Sequence, residues 1–148
     1  MSTPAGEFSF SIERVEGYQF RVKFDKPELG ELVIDEPPPL GRSAGPNPSR
    51  LLASAAAGCL CASLVFCLEK ARVPIKKLSA EVWVQSVRNE RGRLRIGRLT
   101  VTLRPELEPE AIERAQRCRE LFEDFCVVTQ SIRQGIPVDV RVEGLEET

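Results

Sequence analysis

The sequence of 148 residues contains no histidine. This absence excludes Ser-His-Asp and Cys-His nucleophile systems, HExxH metalloproteases and every metal site that depends on imidazole. The chain also has no large excess of positive or negative charge, since its formal net charge is only −1. That balance argues against a generally basic nucleic-acid binder and against an acidic tail protein. Any chemistry must therefore come from sulfur, carboxylate or guanidinium groups.

Signals for export are missing too. Residues 1–10 contain neither the basic segment nor the apolar segment of a secretory signal peptide. The five cysteines are an odd number, and their placement differs from the disulfide framework of a small secreted domain. We therefore expect a cytoplasmic protein whose thiols are reduced.

The composition indicates one folded domain over residues 1–148. Hydrophobic residues make up 42% and charged residues 29% of the chain, which is a globular balance. Alternating apolar patterns predict strands at residues 8–14, 18–24, 30–35, 76–87, 93–103 and 136–142. Helical spacing predicts one helix from Pro48 and a second, continuous helix from Pro109 to Gly135. The order βββ-α-ββ-α-β places the chain in the α+β class.

The first predicted helix is unusually apolar. Asn47 occupies the N-cap position and Pro48 the first helical position, and Leu51–Leu68 contains no charged residue. Its length is close to that of a membrane span. However, the run is diluted by alanine, serine and cysteine and lacks an aromatic belt, so we expect no membrane partner. It is instead predicted to be a long buried central helix, and a chain of this size needs a partner subunit to enclose it.

The cysteines lie on both predicted helices, at positions 59, 61, 67, 118 and 126. Cys59 and Cys61 point about 200° apart on an α-helix and cannot bind one ion together. The sequence has no C-x-x-C pair, so we expect neither a metal site nor another cofactor. Two interpretations remain open for the thiols. Either one cysteine from each helix meets the other where the helices cross, or all five only pack in the core.

An arginine-rich hairpin raises the question of nucleic acid. The predicted turn at 88–92 and the strand after it contain Arg88, Arg91, Arg93, Arg95 and Arg98. Such a stripe could contact phosphates. The alternation and the lack of interleaved aromatic residues favour the solvent-facing side of a strand instead. We therefore expect no nucleic-acid partner.

Two motifs resemble those of a known family. Residues 45–51 read Gly-Pro-Asn-Pro-Ser-Arg-Leu and precede an alanine-rich segment with Cys59, and residues 126–129 read Cys-Val-Val-Thr. This pattern is similar to that of the OsmC and organic-hydroperoxide-resistance family, which has G-x-N-P-E-E-L before a helix with a cysteine, and C-P-V-S on the second helix. The element order matches as well. The resemblance implies an OsmC-like fold and an intertwined homodimer with sites at the subunit interface.

The resemblance also implies a thiol peroxidase that acts in the response to oxidative stress. Cys59 matches the cysteine that attacks an organic hydroperoxide and becomes a sulfenic acid. Cys126 matches the resolving cysteine, which condenses with it to a disulfide. A dithiol reductant, either a lipoyl group or a small thiol, would restore the pair. Cys61, Cys67 and Cys118 match no family role and are expected to pack.

One departure from the family pattern concerns the activating arginine. The first Glu of the family motif is Ser49 here, and a serine cannot supply a carboxylate that orients a guanidinium group. Arg42 is the first candidate for the catalytic arginine, followed by Arg50 and then Arg21. The departure keeps two alternatives open: a non-catalytic or redox-sensing OsmC-like binding protein, and a structural dimer.

Overall fold

A computed structural model of the protein describes residues 2–145. Its strands are β1 Ser11–Glu16, β2 Gln19–Lys23, β3 Glu31–Ile34, β4 Lys77–Arg88 and β5 Leu94–Glu106. Its α-helices are α1 Pro48–Lys70, α2 Ile112–Leu121 and α3 Val127–Gln134. The predicted α+β class is confirmed. The chain divides into two compact units, a first unit up to Ser54 and a second unit from Ala55. The single domain over residues 1–148 stays a prediction.

The first unit contains an antiparallel sheet in the order β1-β2-β3. Phe20 pairs with Arg14 of β1 and with Ile34 of β3, and Gly17 turns the chain with a φ of 52°. The predicted first strand begins too early, because residues 8–10 lie outside β1. Phe10 instead packs its ring 5.3 Å from that of Phe24.

The loop after β3 is held by one buried carboxylate. Asp35 is 2% exposed and accepts backbone hydrogen bonds from Ala44 at 3.0 Å, Arg42 at 3.2 Å and Glu36 at 2.8 Å. The bond from Ala44 is the main reason why the pKa of Asp35 lies below its usual value. Gly45 follows at a point where an added Cβ would collide with the carbonyl oxygen of Val33. The hydrogen bonds to Asp35 and the missing side chain of Gly45 therefore hold the chain on the path that leads into α1.

The helix α1 has the predicted start. Asn47 Oδ1 accepts a hydrogen bond of 3.1 Å from the backbone of Arg50, and Pro48 is the first helical residue. The helix ends where Arg72 adopts a φ of 59° and Val73 donates to the carbonyl of Leu68 at 2.9 Å. By length and composition alone, α1 could cross a membrane, and 39% of its most apolar window is buried in the structure.

In the second unit, α1 packs on a long hairpin and on α2. Strands β4 and β5 pair through Val82 and Val101, and Gly92 forms the predicted turn with a φ of 76°. The buried cluster of this unit consists of Leu64, Leu68, Val73, Ala111 and Cys118. Burial of one leucine contributes about 1.5–3 kcal/mol, so this cluster is the main apolar contribution to stability in the unit.

The predicted second helix is wrong in its continuity. After α2, residues Phe122–Phe125 form a 3₁₀ turn, and Cys126 has an extended backbone with φ −81° and ψ 102° before α3 begins. Neither proline nor glycine marks this break in the sequence. A tertiary contact accompanies it, since the ring of Phe125 packs 5.8 Å from that of Phe66 on α1. The break places Cys126 at the N-terminus of α3 rather than inside a helix.

The predicted last strand is also absent from the described chain. Residues 136–142 form no strand, although Val138 and Val140 alternate with polar neighbours. Their side chains are 79% and 78% exposed. A β-strand is stabilised by hydrogen bonds to a neighbouring strand. Residues 136–142 therefore have the side-chain pattern of a strand, but within residues 2–145 no neighbouring strand pairs with them.

Candidate active site

The structure brings Cys59 and Cys126 together. Cys59 lies in the middle of α1 and is half-buried, while Cys126 has an exposed fraction of 0%. The side chain of Cys59 is close enough to that of Cys126 to lower its pKa. One cysteine from each helical segment therefore meets the other, which was one of the two arrangements that the sequence left open. Both residues belong to the second unit.

The surroundings of Cys126 favour a thiolate. Burial alone would raise the pKa of Cys126. The hydroxyl and the backbone N–H of Thr129, the thiol of Cys59 and the backbone N–H of Val128 outweigh burial and lower this pKa below that of an ordinary cysteine. The sulfur lies at the N-terminus of α3, where the helix dipole also favours negative charge.

The break before α3 is what creates this environment. Because Cys126 is the N-cap residue, the first N–H groups of α3 have no partner inside the helix, and those of Val128 and Thr129 lie near enough to its sulfur to lower its pKa, although its side chain forms no capping hydrogen bond. The carbonyl of Cys126 meanwhile accepts the first helical bond, from Gln130 at 3.1 Å. A continuous helix would leave Cys126 without free N–H groups and would remove this stabilisation.

Thr129 is a site residue to which the sequence analysis assigned no role. Its Oγ1 is buried and has no hydrogen-bond partner of good geometry among residues 2–145. The hydroxyl lies beside the sulfur of Cys126 and lowers its pKa. The available signal was the family motif C-P-V-S, in which Thr129 occupies the place of the serine.

The two cysteines differ in their surroundings. The pKa of Cys126 is lowered, and the side chain of Cys59 contributes to this shift. Cys59 is the more exposed residue, so a reagent from solvent reaches it first. The pair combines an accessible thiol with a buried thiol whose pKa is lowered.

The candidate arginines have partners within the first unit. Arg42 lies on the loop held by Asp35, and its Nη2 is 2.7 Å from Glu16 and 3.1 Å from the side-chain oxygen of Gln19. The Nη1 of Arg50 donates to Asn47 at 3.2 Å. Arg21 Nε lies 3.9 Å from a carboxylate oxygen of Glu31. Ser49 is half-buried in the first turn of α1. The catalytic roles of these arginines stay predictions.

The remaining cysteines lie apart from this pair. Cys118 is 2% exposed in the core cluster, and Cys67 packs against that cluster. Burial, together with a hydrogen bond to Cys67, raises the pKa of Cys118 to about 11. Cys61 is half-buried on α1. Among residues 2–145, no group of three or more histidine, cysteine or acidic side chains could hold a metal ion.

An apolar cavity of about 640 Å³ lies in the second unit. Leu64 and Leu68 of α1, Leu103 of β5 and Phe122 contribute to its wall. Arg119 supplies a charged group at the same cavity. Leu64 is five residues after Cys59 on the same helix.

Solved structures share this fold. An OsmC-like protein of unknown function from Vibrio cholerae superposes with a TM-score of 0.73 at 12% identity, covering 86% of this chain and 94% of that one. The organic hydroperoxide resistance protein OhrB of Bacillus subtilis gives 0.60 at 21% identity, covering 85% and 91%. An organic hydroperoxide resistance protein OsmC from Legionella pneumophila gives 0.62 at 17% identity, covering 87% and 92%. The predicted OsmC-like fold is confirmed.

The sequence also matches the model of a known protein family. None of the curated proteins matches the chain. The family model described as OsmC-like protein matches residues 41–141, which is more than half of the chain and includes both Cys59 and Cys126. With both motifs inside the matched region and the fold shared with OsmC-like structures, the chain belongs to the OsmC-like protein family as a divergent member.

Proposed function

We propose that the protein is a thiol-dependent peroxidase that reduces organic hydroperoxides with Cys59 and Cys126 as its redox pair. The observation that carries the proposal is the proximity of the two thiols, with Cys126 buried at the N-terminus of α3 and its pKa lowered. Family membership supports it, because two structures with the same fold are named organic hydroperoxide resistance proteins.

The first step converts Cys59 to a sulfenic acid. Cys59 gives its proton to solvent and becomes the nucleophile. The Cys59 thiolate attacks the terminal oxygen of the hydroperoxide, so that an S–O bond forms and the O–O bond breaks. The leaving alkoxide takes a proton from solvent and departs as an alcohol. Cys59 is then a sulfenic acid beside Cys126, whose lowered pKa favours its thiolate.

The second step closes the disulfide. The Cys126 thiolate attacks the sulfur of the Cys59 sulfenic acid, the S–S bond forms, and hydroxide leaves and is protonated to water. A dithiol reductant of the lipoyl or small-thiol class then reduces the disulfide by exchange. In the full cycle, one hydroperoxide and one dithiol give one alcohol, one water and one oxidised dithiol.

The N-terminus of α3 offers a substitute for the missing glutamate. Ser49 cannot orient an arginine beside the reactive sulfur. Thr129 and the N–H groups of Val128 and Thr129 stabilise negative charge on Cys126 without any arginine. In this proposal the thiolate of Cys126 does not depend on an arginine, and the catalytic roles of Arg42 and Arg50 stay predictions.

We also propose that the protein is a homodimer in the cytoplasm. Only 39% of the most apolar window of α1 is buried in one chain. Exposed apolar side chains also follow α3, with Val138 79% and Val140 78% exposed. A second copy would cover both surfaces and would give the segment 136–142 a strand to pair with.

A kinetic assay tests the peroxidase. Cumene hydroperoxide and dihydrolipoamide are supplied to the wild type and to Cys59→Ser, Cys126→Ser and Cys61→Ser. We expect both single variants of the pair to lose turnover, by at least 100-fold for Cys59→Ser. Cys61→Ser is the matched control on the same helix and should stay near the wild-type rate. Equal slow consumption by the wild type and Cys59→Ser would refute the peroxidase.

The second candidate function is a redox-sensing binding protein, and Ser49 is the observation that favours it. A sensor would form the Cys59–Cys126 disulfide with hydroperoxide but would not turn over with dithiols. Single-turnover and steady-state measurements on the same sample distinguish the two functions. Disulfide formation without steady-state turnover supports the sensor, and both together support the enzyme.

A further inference from the structure

A second pair of thiols lies in the second unit, formed by Cys67 on α1 and Cys118 on α2. Cys67 packs against the core cluster that contains Cys118, and its proximity contributes to the raised pKa of Cys118. Their placement follows that of the first pair. Cys67 lies eight residues after Cys59, and Cys118 lies eight residues before Cys126. Two such pairs are expected where two chain segments run antiparallel to each other.

The second pair is separate from the candidate active site. Eight residues of α1 correspond to about 12 Å along the helix axis, which is too far for direct exchange between Cys59 and Cys67. The two members also differ in access. Cys118 is 2% exposed, whereas Cys67 is half-buried, so a reagent from solvent meets Cys67 first.

We propose that Cys67 and Cys118 are a second redox pair, which a low-molecular-weight disulfide oxidises to a bridge between α1 and α2. The packing of Cys67 against the cluster that contains Cys118, the position of the two cysteines on different helices and the access to Cys67 carry this proposal. It is independent of the peroxidase, because neither thiol takes part in the reaction of Cys59 and Cys126.

The oxidation proceeds by two exchanges. The sulfur of Cys67 loses its proton and attacks one sulfur of the small disulfide, whose S–S bond breaks and releases one thiol. The sulfur of Cys118 then loses its proton and attacks Cys67 in the mixed disulfide, which releases the second thiol. Two electrons pass from the two cysteines to the small disulfide, and one protein S–S bond is formed.

The bridge would stabilise the fold. It closes a loop that contains the whole β4–β5 hairpin, and a cross-link over a loop of this length restricts the unfolded chain. For a chain of this size, we expect the melting temperature to rise by roughly 5–10 °C on oxidation. The bridge would thereby hold α1, which contains Cys59, against α2 under oxidising conditions.

The experiment uses the full chain with Cys59→Ser and Cys126→Ser, so that the first pair cannot contribute. The protein is treated with oxidised glutathione, quenched in acid, alkylated, digested and mapped by mass spectrometry. We expect a peptide link between Cys67 and Cys118, a protein lighter by two hydrogens, and the higher melting temperature. Adding Cys67→Ser should abolish the link, and adding Cys61→Ser, the matched control, should preserve it.

Two outcomes would overturn the proposal. One is a glutathione adduct on Cys67 that never proceeds to a protein disulfide, which would show that Cys118 only packs. The other is a link that survives Cys67→Ser and is lost with Cys61→Ser. Thermal melting of each reduced variant confirms that it is folded. Loss of hydroperoxide turnover in the wild type would leave this result unchanged, so failure of the peroxidase and failure of the second pair are distinguishable.

Discussion

The thiol of Cys59 lies beside the sulfur of Cys126, the N-cap residue of α3, and helps to lower its pKa. This relationship joins two separate causes. Helix α1 positions Cys59 where solvent reaches it, and the break between α2 and α3 places Cys126 beside the free N–H groups of a helix N-terminus. The result is one accessible thiol next to one buried thiol whose pKa is lowered.

Replacing the hydroxyl of Thr129 should raise the pKa of Cys126. The side chain of Thr129 is among the groups that lower this pKa, so Thr129→Val is expected to raise it. The absorbance of the thiolate near 240 nm, followed against pH in a variant that retains Cys126 as its only cysteine, measures it. Thr129→Ser retains the hydroxyl and should behave as the parent. An unchanged titration in Thr129→Val would show that the hydroxyl does not bind the thiolate.

The two buried cysteines should give the stability of the reduced protein a maximum near pH 9. The pKa of Cys118 is raised from 9.0 to about 11, so its neutral thiol favours the fold below pH 9 and this contribution is lost up to pH 11. The loss amounts to roughly 2–3 kcal/mol. The pKa of Cys126 is lowered, so its contribution is present above pH 9.0 and is lost as the pH falls through the folded value.

Urea unfolding at a series of pH values under a reductant measures both slopes. In Cys118→Ala the decline above pH 9 should be reduced, although the variant is less stable at every pH because a buried group is removed. In Cys126→Ala the rise towards pH 9 should be reduced instead. Parallel pH profiles for the wild type and both variants would show that Cys118 and Cys126 do not cause the pH dependence of stability.

Loss of the Asp35 carboxylate should loosen the loop before α1. Asp35→Ala leaves the N–H groups of Glu36, Arg42 and Ala44 without their acceptor, so we expect the melting temperature to fall by several degrees. Since the pKa of Asp35 is lowered, its contribution is present above an ordinary aspartate pKa of 3.8 and is lost as the pH falls through the folded value. Thermal melting compares it with Glu36→Ala, whose side chain accepts none of these bonds. Equal melting temperatures for the two variants would contradict this role.

A charge in the segment after α3 should dissociate the proposed homodimer. In a monomer, Val140→Lys would change an exposed side chain and would leave stability within about 0.5 kcal/mol. In a dimer that covers the segment, a buried lysine is costly, and the assembly should shift towards monomer. Light scattering coupled to gel filtration measures the mass against 16.5 kDa for one chain. Asp139→Lys is the control, because in a strand paired with the second copy its side chain would face the opposite side from that of Val140. A monomeric wild type would refute the dimer.

Most of the local structure was predictable from particular residues. Asn47 and Pro48 mark the start of α1, and Gly92 marks the hairpin turn, because capping and positive φ are local requirements. The thiolate environment of Cys126 was not predictable, because the break at residues 122–126 contains neither glycine nor proline and accompanies the packing of Phe125 on Phe66. The proximity of Cys67 and Cys118 was not predictable either, because it depends on how α1 packs against α2.

The alternation of residues 136–142 misled the prediction in a different way. Val138 and Val140 have the period of a half-buried strand, but a pattern of side chains does not state which edge the backbone pairs with. Within residues 2–145, this segment has no neighbouring strand. A sequence pattern therefore indicates that a surface is suited to pairing, and only the assembly decides whether pairing occurs.

A single-turnover titration of the reduced protein tests whether Cys59 and Cys126 form a redox pair. One equivalent of cumene hydroperoxide is added without reductant, and the alcohol formed and the cysteine links are both quantified. We expect one alcohol per chain and one disulfide, between Cys59 and Cys126. Alcohol formation that persists in Cys59→Ser, or oxidation of Cys59 that never leads to a link with Cys126, would contradict it.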